Sequence, residues 1–183
     1  MRIEKEKTIA LFVDIQEKLA PVIHESDKVI SRNVLLLSGL KALDVPAVFM
    51  RQYPKGLGDT VAPLREAMGA HTPFDKLAYS AMKDEAIRAE LENRRAQGIQ
   101  NVLVSGIESH ICVLQTCIDL KQAGFCPVLV ADCVGSRNPY DMKIGLKRAV
   151  QEGVFVTTTE AILFELCVVA GTDAFKVISK LVR

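Results

Sequence analysis

Short apolar runs rich in Val, Ile and Phe recur along this chain and alternate with longer amphipathic stretches, and that alternation restricts the fold more than any other feature. Thr8 to Val13 reads as a buried strand, Lys28 to Leu43 as a helix, Pro46 to Arg51 as a strand, and Lys83 to Gln97 as a charged helix closed by Gly98. The pattern then repeats. Ile99 to Ser105 reads as a strand, Ser109 to Ala123 as a helix closed by Gly124, Cys126 to Ala131 as a strand, Tyr140 to Gln151 as a helix closed by Gly153, and Val154 to Thr157 as a short strand. Helical segments over about Thr159 to Val169 and Asp173 to Leu181 finish the chain. Strands that are apolar at every position are buried on both faces, and β-helix-β alternation makes them parallel. The expected fold is therefore α/β, a three-layer αβα sandwich around a mostly parallel central sheet. Ligands in such sheets sit beyond the carboxyl ends of the strands, which directs attention to Asp14, Arg51 to Tyr53, Gly106 onward and Asp132 onward. Between Tyr53 and Lys83 periodicity fades and Pro and Gly interrupt the chain, so an irregular insertion is expected there.

The 183 residues suit one domain spanning 1–183, at ~100 to 200 residues per domain. Lys plus Arg number 23 against 22 for Asp plus Glu, so no global field exists to hold nucleic acid or an anionic membrane. No apolar run approaches the ~18 residues needed to span a bilayer. Five cysteines are an odd number in a chain large enough to need no staples, and no signal peptide precedes them, which favours reduced thiols in a cytoplasmic setting.

Position separates the five. Cys112, in Gly106-Ile107-Glu108-Ser109-His110-Ile111-Cys112-Val113, falls in the first turn of the helix after the central strand. Unpaired amides and the helix dipole there are expected to ease ionisation of the thiol and to offer N–H donors to an oxyanion; packing as a small hydrophobe is the alternative. Cys117 is about 140° farther around the same helix and cannot share a metal with Cys112. Cys126 and Cys167 read as packing residues, Cys133 is placed at the crevice rim, and no CxxC pair supports zinc. Asp14, directly after a buried strand, is either a partly desolvated base or an acid capping a turn. Lys76 in the insertion is a solvated lysine unless it lies beside a thiol and a carboxylate, where its charge would lower the pKa of both. His110, two residues before Cys112, points elsewhere and is a poor base for it; His71 has no Asp-x-His partner.

Asp14-Ile15-Gln16, the Lys76 segment ending Tyr79-Ser80-Ala81, and the Gly106 to Val113 run together resemble the three signatures of the isochorismatase-like cysteine hydrolases. The resemblance extends through Ala131 to Asn138 and is nearest to the isochorismatase domain-containing proteins. It implies a Rossmann-like sheet and a Cys112, Asp14 and Lys76 triad, in which the thiolate attacks a carbonyl, Asp14 shuttles the proton, and Lys76 stabilises and orients. It also implies a cis peptide at Ile107-Glu108 aiming the N–H groups of Glu108 and Cys112 at the oxyanion. Nicotinamide-hydrolysing members carry metal ligands after the second strand, where this chain has Arg51-Gln52-Tyr53-Pro54, so neither metal nor cofactor is expected. A thiol nucleophile favours acyl transfer over cleavage of isochorismate. Leu19, Tyr53, Leu77, Tyr79 and Ile111 flank the motifs and are expected to form a small apolar pocket, with Gln16 as a polar contact. The expected activity is metal-independent hydrolysis of a small amide or related acyl compound through a thioester, by a homodimer or homotetramer with no nucleic acid or membrane partner. A catalytically weak scaffold or protein-interaction module is the alternative, and a redox-sensing Cys112 a third reading, weakened by the lack of a neighbouring resolving cysteine.

Overall fold

The computed structural model describes residues 1–183. In chain order the elements are β1 (Thr8–Val13), α1 (Ser26–Ala42), β2 (Ala47–Gln52), the single turn α2 (Pro54–Leu57), α3 (Ala62–Met68), β3 (Phe74–Lys76) and α4 (Glu85–Ala96). They continue with β4 (Asn101–Ile107), α5 (Leu114–Gln122), β5 (Cys126–Gly135), α6 (Pro139–Gln151), β6 (Phe155–Thr157), α7 (Thr159–Cys167) and α8 (Asp173–Leu181). The six strands form one sheet in the order β3-β2-β1-β4-β5-β6, and every neighbouring pair is parallel.

Chain direction along the sheet reverses at β1, with β2 and β3 on one side and β4 to β6 on the other. That switch point opens a crevice at the carboxyl edge between β1 and β4. Both faces of the sheet are covered. Ala10 and Phe12 of β1 join Leu36, Leu37 and Leu40 of α1, Leu64 of α3, Leu163 of α7 and Ile178 of α8 in one apolar layer. Ile9, Leu11 and Val13 join Ile87 and Leu91 of α4, Cys117 and Leu120 of α5 and Ala149 of α6 in the other. The all-apolar reading of β1 follows from this double coverage, since all six of its residues are buried.

Helix starts are set by local side chains. Asp84 accepts from the N–H groups of Ala86 and Ile87 to open α4, and Asn138 accepts from Tyr140 N–H at the start of α6, with Pro139 in the first turn.

Four expectations need correction. The stretch after Tyr53 is not an irregular insertion: it contains α3 and the edge strand β3, which is only three residues long and too short to show a period. Its strand character comes from pairing with β2, where Gln52 lies opposite Lys76. β5 does not stop at Ala131 but runs to Gly135, with an irregularity in its pairing between Val104 and Gly106. Cys133 is therefore inside the sheet rather than at the rim, fully buried with Sγ 3.0 Å from Thr159 Oγ1. The helix expected from Ser109 begins instead with a wider turn over Ser109–Val113, in which Val113 N–H reaches the Glu108 carbonyl at 3.3 Å, and α5 follows it.

Gly106 is required where β4 passes β1. Its φ is +115°, and a Cβ there would lie 2.0 Å from the Val13 carbonyl oxygen. Backbone cannot yield as a flexible side chain would. Gly106→Ala is expected to destabilise the fold by ~3 kcal/mol or more, read as a fall in the urea unfolding midpoint.

Candidate active site

Four strand ends meet at the carboxyl edge. β1 delivers Asp14, which sits at φ +54° as the chain turns away from the sheet and is completely shielded from solvent. β3 delivers Lys76, 1% exposed, whose ammonium lies 2.7 Å from Asp14 Oδ2. β4 delivers the peptide between Ile107 and Glu108, which is cis, and then the turn bearing Cys112. β5 delivers Ser136 and Arg137.

The Lys76 ammonium is surrounded by oxygen: besides Asp14 it donates to Gln52 Oε1 at 2.8 Å, Tyr79 O at 3.1 Å and Ala78 O at 3.2 Å. Four acceptors more than use its three protons. Asp14 is less well served. Oδ2 takes the lysine, whereas Oδ1 is buried with no hydrogen-bond partner. Burial pushes the Asp14 carboxyl above its ordinary range, and the Lys76 charge only partly opposes that. The Cys112 thiol interacts with the same carboxylate, but no well-aligned S–H···O bond closes on Oδ1.

The thiol departs from expectation. The position of Cys112 at a helix start argues for a lowered pKa, yet burial and then the Asp14 charge push it up to about 12, against the pull of Lys76. A helix terminus contributes ~0.3–1 kcal/mol, too little to offset removal of a thiolate from water. These effects favour the neutral thiol over the thiolate at Cys112.

Beside Cys112 lies a cavity of about 260 Å³. Of the residues expected to contact substrate, Leu19, Tyr79 and Ile111 line it, as does Glu108. Gln16 does not. Its amide donates to Gln52 O and Gly58 O, both at 2.9 Å, and accepts from Gln52 N–H at 2.7 Å, so it is a buried clamp rather than a substrate contact. Tyr53 and Leu77 are also off the wall: the Tyr53 ring lies against Gly56, and Leu77 is an exposed side chain whose carbonyl accepts from Gln52 Nε2.

Gln52, Leu57 and Arg137 line the cavity without having been singled out. Gln52 falls within the strand end Arg51 to Tyr53, and that position was its only signal. Arg137 falls within the stretch from Asp132 onward, but it reaches the cavity only because β5 runs on to Gly135, beyond its apolar run. Its backbone N–H donates to Glu108 Oε2 at 2.9 Å, and its Nε lies 3.2 Å from both carboxylate oxygens. His110 Nδ1 lies 2.9 Å from Ser136 Oγ, away from the thiol, and His71 packs on Phe49 with ring centroids 5.5 Å apart. No three His, Cys, Asp or Glu side chains are grouped to hold a metal ion.

Carboxylate, ammonium and thiol thus gather at the switch point of a parallel α/β sheet. The sequence pattern of the isochorismatase domain matches residues 8–161. Isochorismatase domain-containing protein 2 of Danio rerio is 36% identical over 98% of this chain and 89% of its own length. Among solved structures, the MAR1 ribonuclease of Caenorhabditis elegans superposes with a TM-score of 0.91 at 35% identity, covering 100% of this chain and 92% of that one. The Escherichia coli YcaC product, described as an octameric hydrolase of unknown specificity, shares the fold at a TM-score of 0.90 and 20% identity, covering 99% and 89%. The chain belongs to the isochorismatase-like hydrolase family.

Removing one member of the buried pair leaves the other uncompensated. Lys76→Met is expected to lower stability by ~3–5 kcal/mol, and Asp14→Asn in the same chain to recover part of the loss, both measured by denaturant unfolding at pH 7.

Proposed function

We propose that this protein is a metal-independent cysteine hydrolase that cleaves a small amide or related acyl substrate through a thioester, with Cys112 as nucleophile, Asp14 as proton shuttle and Lys76 as the charge that holds Asp14 in place. The observation that carries this reading is Asp14 Oδ1, a buried carboxylate oxygen without a partner next to a protonated thiol.

The chemistry balances on these groups. As sulfur attacks the carbonyl carbon, its proton passes to Asp14 and the carbonyl oxygen takes the negative charge. Glu108 N–H, which has no acceptor inside the protein, is one donor for that oxygen, and Cys112 N–H is the other. Collapse breaks the C–N bond, and Asp14 returns the proton to the leaving amine. Water then attacks the thioester, giving a proton to Asp14, and the C–S bond breaks as the thiol is reprotonated. Lys76 neutralises the carboxylate between the steps while its other oxygen contacts hold it still. β2 ends in Arg51-Gln52 and leads into Tyr53-Pro54, none of them a residue type that readily ligates a metal, which supports chemistry on Cys112, Asp14 and Lys76 alone.

The raised thiol pKa is the one observation favouring a catalytically weak scaffold, and the pH dependence of turnover separates the readings. RNA cleavage, suggested by the description of the Caenorhabditis relative, finds less support here: formal net charge is +1, and a cavity of about 260 Å³ with a single arginine does not provide a track for phosphates. We further propose that the chain works as a homo-oligomer, for which light scattering gives the subunit count.

In a screen of small amides by ammonia release, Cys112→Ala is expected to abolish turnover, and labelling by an active-site electrophile with it. Labelling retained at another single cysteine would sink the assignment. Asp14→Asn is expected to lower kcat/KM by ~10²–10⁴-fold. Because the base must be ionised and its pKa is raised, kcat/KM should be lost as pH falls through a value above the ordinary 3.8 of an aspartate; a rate flat down to pH 4 would contradict the role of Asp14.

A further inference from the structure

Arg137 is the only cationic residue in the wall of the Cys112 cavity. Its side chain is held along one edge: Nε faces both oxygens of Glu108, whose own side chain is 6% exposed. Neither terminal nitrogen of the guanidinium has an acceptor in the protein, although the side chain as a whole is 60% exposed. A guanidinium fixed at Nε and open at its outer edge is preorganised for a planar, two-oxygen acceptor.

Charge balance sharpens the reading. Asp14 pairs with Lys76 and Glu108 with Arg137, so the surroundings of Cys112 carry no net charge. A ligand anion would be held by directed hydrogen bonds from one edge rather than by a broad positive field. The rest of the wall is largely apolar, with Leu19, Leu57, Ile111 and the Tyr79 ring, and its volume of about 260 Å³ is small even for a small-molecule site. A scissile carbonyl at Cys112, a carboxylate on Arg137 and a short aliphatic spacer between them fit such a cavity.

We propose that Arg137 determines specificity and that the substrate is a short aliphatic carboxylic acid bearing a terminal carboxamide. This deepens the proposed hydrolysis and rests on it: the S–C bond forms at the amide carbon, the C–N bond breaks with the proton delivered to nitrogen, and hydrolysis of the thioester yields ammonia and a dicarboxylate.

The test uses the full chain and three acids, malonamate, succinamate and glutaramate, each beside the neutral analogue in which a methyl ketone replaces the carboxylate. Protection of Cys112 from iodoacetamide at fixed pH is read by peptide mass, and ammonia release is followed in the same samples. At least one acid should protect at a concentration about tenfold or more below that of its neutral analogue, the effect of a charge-assisted hydrogen bond. Arg137→Met should bring that ratio near one, and Arg137→Lys, which keeps the charge and loses the fork, should reduce it severalfold. Equal protection by acid and analogue in the wild-type protein overturns the proposal, as does a ratio that survives Arg137→Met. If Arg137→Met fails to fold because Glu108 loses its partner, Arg137→Lys decides, and an unchanged ratio there overturns it. Acid-selective protection without ammonia release defeats the hydrolase reading and leaves a carboxylate site, whereas release without acid selectivity defeats only the assignment of Arg137.

Discussion

The buried ion pair between Asp14 and Lys76 is the constraint to which the surrounding structure answers. Two charges 62 positions apart in sequence meet at 2.7 Å, with both side chains wholly shielded from water. Such a pair loses several kcal/mol of hydration per ion, and apolar residues of similar volume would often stabilise a core as well or better. Its presence at the switch point of the sheet is therefore poorly explained by stability alone. The local architecture secures it. The backbone at Asp14 takes a left-handed conformation so that the carboxylate ends at the crevice, and the three-residue β3 exists as a strand at the position that brings Lys76 to it.

Holding β3 in register requires a second layer of interactions. Gln16 clamps the main chain of Gln52, and the Gln52 side chain in turn spans Lys76 Nζ and the Leu77 carbonyl. Farther out, Arg51 bridges Asp59 and Asp75, each at 2.7 Å, and Arg65 joins Asp59 at 3.1 Å, fastening the segment after β2 to the strand edge. The Arg51 hydrogen bond holds the Asp59 carboxyl below its ordinary range. That contribution to stability is fully present above the ordinary aspartate pKa and is lost as pH falls through the lowered one. The pairs are exposed and individually weak, but they act on the segment that carries Lys76.

Most of the architecture was legible because periodicity reports burial: β1 and α8 are found at the limits read from the sequence, and the parallel sheet follows from strands apolar on both faces. Legibility failed where tertiary pairing overrode local pattern. β3 is too short to announce itself, and the polar Asp132 inside β5 is tolerated because it caps α7, accepting from Thr159 N–H at 2.8 Å. Extending β5 by four residues is what moves Cys133 into the core and brings Arg137 to the site. The role of Gln16 is not legible in the sequence for a related reason. A polar residue at a strand end faces either ligand or backbone, and only the path of the segment after β2 decides which.

The thiol shows where local reasoning gives the wrong sign. A helix start favours an anion through the few amides in its first turn, whereas burial beside a carboxylate acts through the whole surroundings, and the second effect is larger. Burial raises the proton affinity of Cys112 and of Asp14, and Lys76 opposes that at each, so the thiolate is disfavoured even with a cation beside the site. Each pKa unit separating the two groups is about 1.4 kcal/mol against forming a thiolate in the empty enzyme. In the proposed hydrolysis that separation is overcome in the step that forms the C–S bond, as negative charge leaves sulfur for the carbonyl oxygen, which the N–H groups of Glu108 and Cys112 stabilise. A neutral thiol is a slower target for electrophiles and oxidants than a thiolate, so the burial that raises its pKa slows side reactions at Cys112 without preventing them.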